Sequence, residues 1–486
     1  MQRENDGVLQ LNERQRATVW QRLGERVEQY FREVPDIPVA QSPSVSAIRS
    51  LLSSFDFAKP GDPLEAIEFA FEELRRTQVH TPHPRYFGLF NPAPTTMGIA
   101  ADTIVAALNP QLAAWTHNPL ALEIERHLVQ TFGMRFGWTP PNIDGVFCTA
   151  GAEANHTAVL TSLCRAFPEF RTLGLRGLPK QPVLYVSGEG HHSILKAARL
   201  CGLGTEAVRE VDVDPSLRLD VGVLEETIAR DRAQGFAPFL VVGTAGTTSA
   251  GIVDPLRSIA RLAEREGLWF HADAAWGGAA ALVPELRQVL DGIERADSIT
   301  FDAHKWLSVP MGAGMYLTRH LEILTETFST DAGYMPGSQA GGVDSYSHSM
   351  QWSRRFTGLK VFLSLAVAGW PGYEAVLRRQ VQMGKLLADK LRAAGWPIIN
   401  DTPLPLVCFV DQRSEQGQSA EYLKSIVDHV VQSGRAWISV CKIAKGRSAI
   451  RACITNYRTV ASDLDELVAA LEAARQVEAS RKSTRP

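Results

Sequence analysis

From about residue 145 to 319 short apolar runs alternate with helix-like stretches, and that rhythm limits the fold more than any other feature of the chain. The runs are GVFCTAG (145–151), PVLYVSG (182–188), FLVVGTAG (239–246), LWFHADAAW (268–276), DSITFDA (297–303) and GAGMYLTR (312–319). Between them lie helical patterns at 153–166, 193–202, 222–234 and 255–266. Asp254-Pro255 offers the last of these an N-cap and a proline at its first turn. Alternating β and α units predict an α/β fold, a mostly parallel sheet with helices on both faces.

The flanks read differently. Val19, Leu23, Val27 and Tyr30 recur at helical spacing within 12–33, opposite a densely charged face. Pro-rich linkers at 35–43 and 59–63 and a second helix pattern at 63–76 follow. A segment this small has little core of its own, so it is expected to pack on another surface, such as a second subunit. Beyond 354 a long helix pattern runs to 396, interrupted at Pro371-Gly372. Strands near 405–411 and 449–455 and a closing helix at 462–476 complete the chain. The division this suggests is 1–90, an N-terminal helical segment on the partner subunit; 91–375, a large domain; and 376–486, a small α+β domain.

Composition removes several classes. Lys plus Arg is 50 against 53 for Asp plus Glu, a balance without the basic footprint of a nucleic-acid binder. No run of about 18 apolar residues predicts a membrane span, and the first residues lack the apolar core of a secretory signal. A cytoplasmic protein is expected. The six cysteines show no CxxC pair, and His191 and His192 are adjacent, so neither a disulfide framework nor a metal site is expected.

Ligands of open α/β sheets bind beyond the carboxyl ends of the strands. Those ends carry Gly151-Ala152 opening a helix, His192, Thr244 to Thr247, Asp273, and Asp302-Ala303-His304-Lys305. Taken singly each has a bland reading: a tight turn, a capping histidine, a loop lysine. Together they meet the needs of one cofactor. Pyridoxal phosphate requires an anion cradle, a lysine for its aldehyde, and a carboxylate to keep its pyridine nitrogen protonated.

The strings HPRYFGLFNP (83–92), TAGAEAN (149–155), HHSILKAA (191–198), HADAAWGG (271–278) and DAHKWL (302–307) resemble the pyridoxal-phosphate-dependent group II amino-acid decarboxylases. The resemblance runs from about residue 80 to RACITNYRT (451–459). It implies the fold type I, aspartate-aminotransferase-like architecture, and a homodimer with active sites at the subunit interface. It also implies Lys305 as the Schiff-base lysine, Asp273 on the pyridine nitrogen, His192 stacked on the ring and Ala275 on its other face. Gly151, Ala152, Thr244, Thr247, Asp302 and His304 are then cofactor contacts, and Phe90, Trp115 and Arg451 candidate substrate contacts. The Gly/Ser-rich stretch 329–350 corresponds to a closing lid whose tyrosine returns a proton to the substrate carbon, with Tyr334 the match and Tyr346 the reserve. The expected activity is conversion of an L-amino acid to its amine and CO₂. An aromatic amino acid comes first on family grounds and an acidic or β-amino acid second. A decarboxylating aldehyde synthase, an aminotransferase on the same fold and a non-catalytic binder are the rivals.

Overall fold

The computed structural model describes residues 9–41, 43–330, 333, 335, 341–443 and 446–483. An arm of three helices opens the chain: α1 (Glu13–Glu33), α2 (Val45–Leu52) and α3 (Pro63–Thr77). Asn12 and Gln15 form a reciprocal capping box on α1, and Asp62 caps α3 ahead of its first-turn proline. What the arm lacks is a core. Neither α2 nor α3 contains a buried residue, and α1 buries only Arg26, which pairs with Glu68 and Glu72 of α3. Trp20, Val45, Phe57 and Leu74 stand exposed. The chain from His80 to Phe90 joins this arm, through Tyr30 Oη and His80 Nδ1 at 2.9 Å, to the rest of the molecule. It runs over the C-terminal part of the molecule, where the Phe87 N–H donates to Trp437 O at 2.9 Å and the Cys453 N–H to Phe87 O at 2.9 Å.

After α4 (Thr96–Leu108) and α5 (Pro119–Arg135), the alternating region forms one sheet. In chain order it holds β1 (Asp144–Cys148), α6 (Gly151–Ala166), the one-turn α7 (Phe170–Leu173), β2 (Pro182–Ser187), α8 (Ser193–Leu200), β3 (Val208–Val211) and α9 (Val221–Ala233). Then come β4 (Ala237–Thr244), α10 (Leu256–Glu266), β5 (Trp269–Asp273), the short α11 (Pro284–Arg287), β6 (Ser298–Asp302), β7 (Gly314–Thr318) and α12 (Ile323–Phe328). The strand order is β1-β7-β6-β5-β4-β2-β3. The pairs from β6 through β3 are parallel, whereas β7 runs antiparallel to both β6 and β1. The reason is the connection: residues 303–313 leave no room for the helical crossover that parallel neighbours need. That short return holds Lys305 at the sheet's edge. Parallel register also aligns the strand ends, pairing Thr244 with Asp273 and Asp273 with Thr300.

Two local expectations change. β3 escaped the apolar pattern because it is a four-residue edge strand that carries Arg209, paired with the buried Asp231, and the exposed Glu210, charges that blunt an edge. Asp254 does not cap α10. Buried at 2% exposure, it accepts from the Leu219 N–H and the Thr244 N–H, both at 2.8 Å, and so fixes the end of β4 instead.

Helix α13 (Gly358–Ala393) carries the chain from the large sheet to a smaller one, and breaks at Gly369 (φ 61°), two residues before Pro371. Proline cannot donate and its ring crowds the preceding turn, so the permissive glycine absorbs the break. The small sheet is antiparallel, β8 (Leu406–Phe409), β10 (Arg447–Cys453) and β9 (Ser439–Ile443) in that order, covered by α14 (Ala420–Gln432) and α15 (Ala461–Ser483). Its two faces belong to different cores. Val407, Phe409, Ile450 and Ala452 join the cluster under α14 and α15, whereas Leu406, Cys408, Ile443, Ala449 and Cys453 join the core of the large sheet. Period-two alternation therefore turns Arg451, which pairs with Cys408 and Ser439, toward the large sheet. Among the described residues no helix is long and apolar enough to cross a membrane.

Candidate active site

The aligned strand ends enclose a crevice lined by Gly151, Ala152, Asn155, His191, Thr244, Asp273, Ala275 and Lys305. Gly151 and Ala152 begin α6, and Ala150, at its N-cap position, makes no side-chain cap. The helix start thus offers backbone N–H groups and the positive end of the helix dipole to an anion. The turn is tight: a Cβ on Gly151 would lie 2.7 Å from Asp302 Oδ2 and 3.3 Å from Ala275 Cβ.

Asp273 is 5% exposed, a burial that would be costly for an unsatisfied carboxylate. It is not left so. Asn155 Nδ2 donates to its Oδ2 at 2.8 Å and the Ala275 N–H to its Oδ1 at 3.2 Å. Lys305 Nζ lies 3.0 Å from Asp302 Oδ2, an ion pair in which Asp302 is 1% exposed on its side chain and Lys305 23%. Asp302 Oδ1 is buried without a hydrogen-bond partner. His304 is buried too; its Nδ1 accepts from the Ala313 N–H at 3.2 Å, so a neutral ring carries its proton on Nε2. Burial is the leading cause that lowers the His304 pKa, which keeps it neutral.

The histidine beside Asp273 and Lys305 is His191, which corrects the sequence expectation for His192. The Ser193 N–H donates to His191 Nδ1 at 3.2 Å and Ser193 Oγ sits 2.8 Å from the same nitrogen, a local turn that swings this ring over the crevice. His192 takes the N-cap position of α8 and lines only the wider cleft outside. Burial lowers the His191 pKa, opposed by Asp273 and reinforced by Lys305. A second correction concerns the threonines. Thr244 and Thr248 line the crevice, whereas Thr247 turns its hydroxyl back to accept the Ile252 N–H at 3.1 Å.

His191 and Thr248 also line a cleft of about 650 Å³, so the crevice opens directly into it. Arg451, Cys441, Lys442 and Leu89 stand on its other side. Arg451 is 2% exposed, donates from Nη1 to Gly88 O at 3.1 Å, and rests 4.8 Å above the Phe90 ring. Its Nε and Nη2 have no partner. Phe90 itself is stacked on Trp276 at 4.3 Å, a shelf for the guanidinium. Trp115 is not brought to this cleft. It donates to Glu123 Oε1 at 3.0 Å and lines a separate cavity with Glu125 and Arg354. Tyr346 is likewise elsewhere, its N–H on Ala113 O at 3.1 Å and its ring 5.0 Å from Trp352. Tyr334 lies outside the described residues.

A model of the pyridoxal-dependent decarboxylase conserved domain matches residues 50–411. The chain belongs to the pyridoxal-dependent decarboxylase family. Among relatives, it is 28% identical over 477 residues to an aromatic-L-amino-acid decarboxylase of Bacillus atrophaeus, covering 96% of each. It is 30% identical over 422 residues to cysteine sulfinic acid decarboxylase of Mus musculus, covering 82% of this chain and 84% of that one. The crystal structure of mouse CSAD superposes with a TM-score of 0.86 at 27% identity, over 93% of this chain and 98% of that one. The decarboxylase is therefore a carboxy-lyase whose cofactor is pyridoxal 5'-phosphate. The crevice fits that group: an uncapped helix start for a phosphate, a satisfied buried carboxylate for a pyridine nitrogen, and an amine between them.

Three residues of this decarboxylase site were passed over in the sequence. Asn155 and Ser193 sit inside the strings TAGAEAN and HHSILKAA, and Thr248 follows Thr247 directly. Behind Asp273, Asn155 Oδ1 accepts from Thr300 Oγ1 at 2.7 Å and His271 Nε2 at 3.1 Å. His271 is wholly buried, and burial pushes its pKa down to about 4. The unfolded chain, with an ordinary value near 6.5, therefore binds more protons than the folded one between about pH 6.5 and 4. Stability from this group is complete above about pH 6.5 and is lost as pH falls toward 4. A drop from pH 7 to 5 should remove about 2 kcal/mol. Urea unfolding of wild type and His271→Gln at both pH values isolates this contribution; equal pH dependence in the two proteins would show that His271 is not its source.

Proposed function

We propose that this decarboxylase removes the α-carboxyl group of an L-amino acid whose side chain carries a second acidic group. The observation behind the reading is Arg451. A guanidinium buried with two unpartnered nitrogens lacks the counter-charge such burial requires, and a ligand carboxylate or sulfinate in the cleft would supply it. Lys442 adds a cation to the same cleft. Glu189 lines the cleft as well, but an aromatic side chain would bring no anion of its own to the two cations. That reasoning moves the preference away from the aromatic amino acid favoured on family grounds.

The proposed roles of the chain's own groups follow from their positions. The start of α6 at Gly151 and Ala152 would hold the phosphate, with the His304 Nε2–H at hand. Asp273 would keep a proton on the pyridine nitrogen, and Lys305 would hold the aldehyde carbon. Bound there, the cofactor supplies the electron sink that lets CO₂ leave. His191 and Ala275 would confine the ring from its two faces, so the substrate's α-carbon is presented toward the cleft and Arg451. Once displaced from the aldehyde carbon by the substrate amine, the Lys305 amine beside Asp302 would be a second proton carrier, and Tyr334 remains the proposed lid acid. Phe90 would act by supporting Arg451.

Assembly is the second part of the proposal. The arm α1–α3 leaves apolar side chains uncovered, Phe57 at 88% exposure among them, and Leu108, Leu120 and Val367 add exposed apolar surface on the body. A second copy of the chain, docked through an interface above about 2,000 Å², would cover such surface.

Three measurements test these readings. Borohydride reduction should tether the cofactor to Lys305 and fail in Lys305→Ala; tethering at wild-type yield in that variant would reassign the lysine. Assayed for CO₂ release, the enzyme should prefer aspartate, glutamate or cysteine sulfinate. Arg451→Met should raise KM for the preferred substrate by roughly 10- to 100-fold, the worth of a charge-assisted hydrogen bond. Preference for aromatic amino acids, unchanged by Arg451→Met, would return the substrate to the aromatic class. Light scattering at micromolar concentration should give about twice the 53.3 kDa chain mass; an active monomer would remove the dimer.

A further inference from the structure

The hydrogen bonds behind Asp273 form a chain whose donor directions are all determined. The Trp269 indole N–H can only donate, and it meets Ser298 Oγ at 2.8 Å. His271 Nε2 meets Asn155 Oδ1, which can only accept, so the ring proton sits on Nε2 and Nδ1 accepts the hydroxyl proton of Ser298 Oγ at 2.8 Å. His271 Nε2 and Thr300 Oγ1 then both donate to Asn155 Oδ1. With its oxygen occupied by two donors, the Asn155 amide turns its NH₂ outward, to Asp273 Oδ2 and to Ser193 Oγ, each at 2.8 Å. The Ser193 N–H donates to His191 Nδ1, which is therefore an acceptor, so the Ser193 hydroxyl donates to the same nitrogen. The His191 proton is left on Nε2, facing the crevice. Asn155 is 1% exposed, and its four hydrogen-bonding neighbours here are all side chains.

We propose that Asn155 is a positioning residue for both groups facing the cofactor: its amide holds the Asp273 carboxyl group in place and, through Ser193, anchors the His191 ring over the crevice. The proposal rests on the roles given above to Asp273 and His191. The charged and titratable groups around this pair are His271 on β5, His192 beside α8, and Asp302 and Lys305 at the end of β6. Asn155 donates to Asp273 from its side chain, whereas these groups act on the pair through their charge.

Asn155→Asp is the sharpest probe because it keeps shape and replaces the donor with a second carboxylate. At pH 8 the holoenzyme variant should bind pyridoxal phosphate at least about tenfold more weakly than wild type, because the two carboxylates repel. The deficit should shrink as pH falls toward 5.5, where one shared proton restores a hydrogen bond between them. The midpoint of the bound cofactor's visible absorbance against pH should move as well. Ser193→Ala should keep cofactor affinity within about threefold and shift the pH profile of turnover, since only the His191 branch is cut. Asn155→Ala, with its thermal melting recorded, separates loss of the donor from loss of fold; if it does not fold, the Asp and Ser193 variants decide. The proposal is overturned if Asn155→Asp binds the cofactor as wild type does, or carries a deficit that does not change with pH. Failure of the underlying site reading looks different: wild type itself would then show no visible band with pyridoxal phosphate and no tethering at Lys305.

Discussion

Burying the Asp273 carboxylate at the end of a parallel strand sets the terms for everything around it. Water cannot reach it freely, so the chain must supply donors, and each donor must itself be held. The Ala275 N–H comes from the turn that leaves β5, and Asn155 comes from the first turns of α6. Since α6 begins at Gly151, the helix that steadies the carboxylate also presents its bare N-terminus a turn earlier. One element therefore supplies both a donor to the carboxylate and an open helix start, and the parallel register lines up Thr244, Asp273 and Thr300 beside it.

The opposite wall is built on a different rule. Arg451 stands on a strand whose alternate residues face two cores, and its guanidinium is held by a carbonyl, Gly88 O, and a ring, Phe90, in place of an acid. A carbonyl and a π-face stabilise a cation without neutralising it. Cys408 and Cys453 flank the arginine on the same face, small apolar neighbours that add no competing anion.

Much of this was legible in the sequence because strand ends are marked by a change of residue type. Apolar runs end in Asp273 and in Asp302-Ala303-His304-Lys305, and both ends fall at the crevice as the pattern requires. Choices between neighbours were not legible. Nothing in the string His191-His192-Ser193 says which ring turns inward; a hydrogen bond to Ser193 decides it. Thr247 and Thr248 differ in the same way, one hydroxyl closing its own turn and the other facing the crevice. Asp254 had the local signature of a helix cap, but two distant backbone donors claim it. Asn155 has no signature at all, since its importance comes from residues 38 to 145 positions away.

The strand β10 has a consequence for how such a protein changes over generations. Ile450 and Ala452 are committed to the packing under α14 and α15, while Ala449, Arg451 and Cys453 look the other way. Neighbouring codons thus answer to separate demands, one on folding and one on what the cleft accepts. A lineage can exchange residues at every second position and try new chemistry while the scaffold stays intact, provided the register never slips. A slip of a single residue would expose the packing face to ligand and bury the arginine in a hydrocarbon core. The two-residue period that lets this strand experiment also keeps the experiments apart from the structure that supports them.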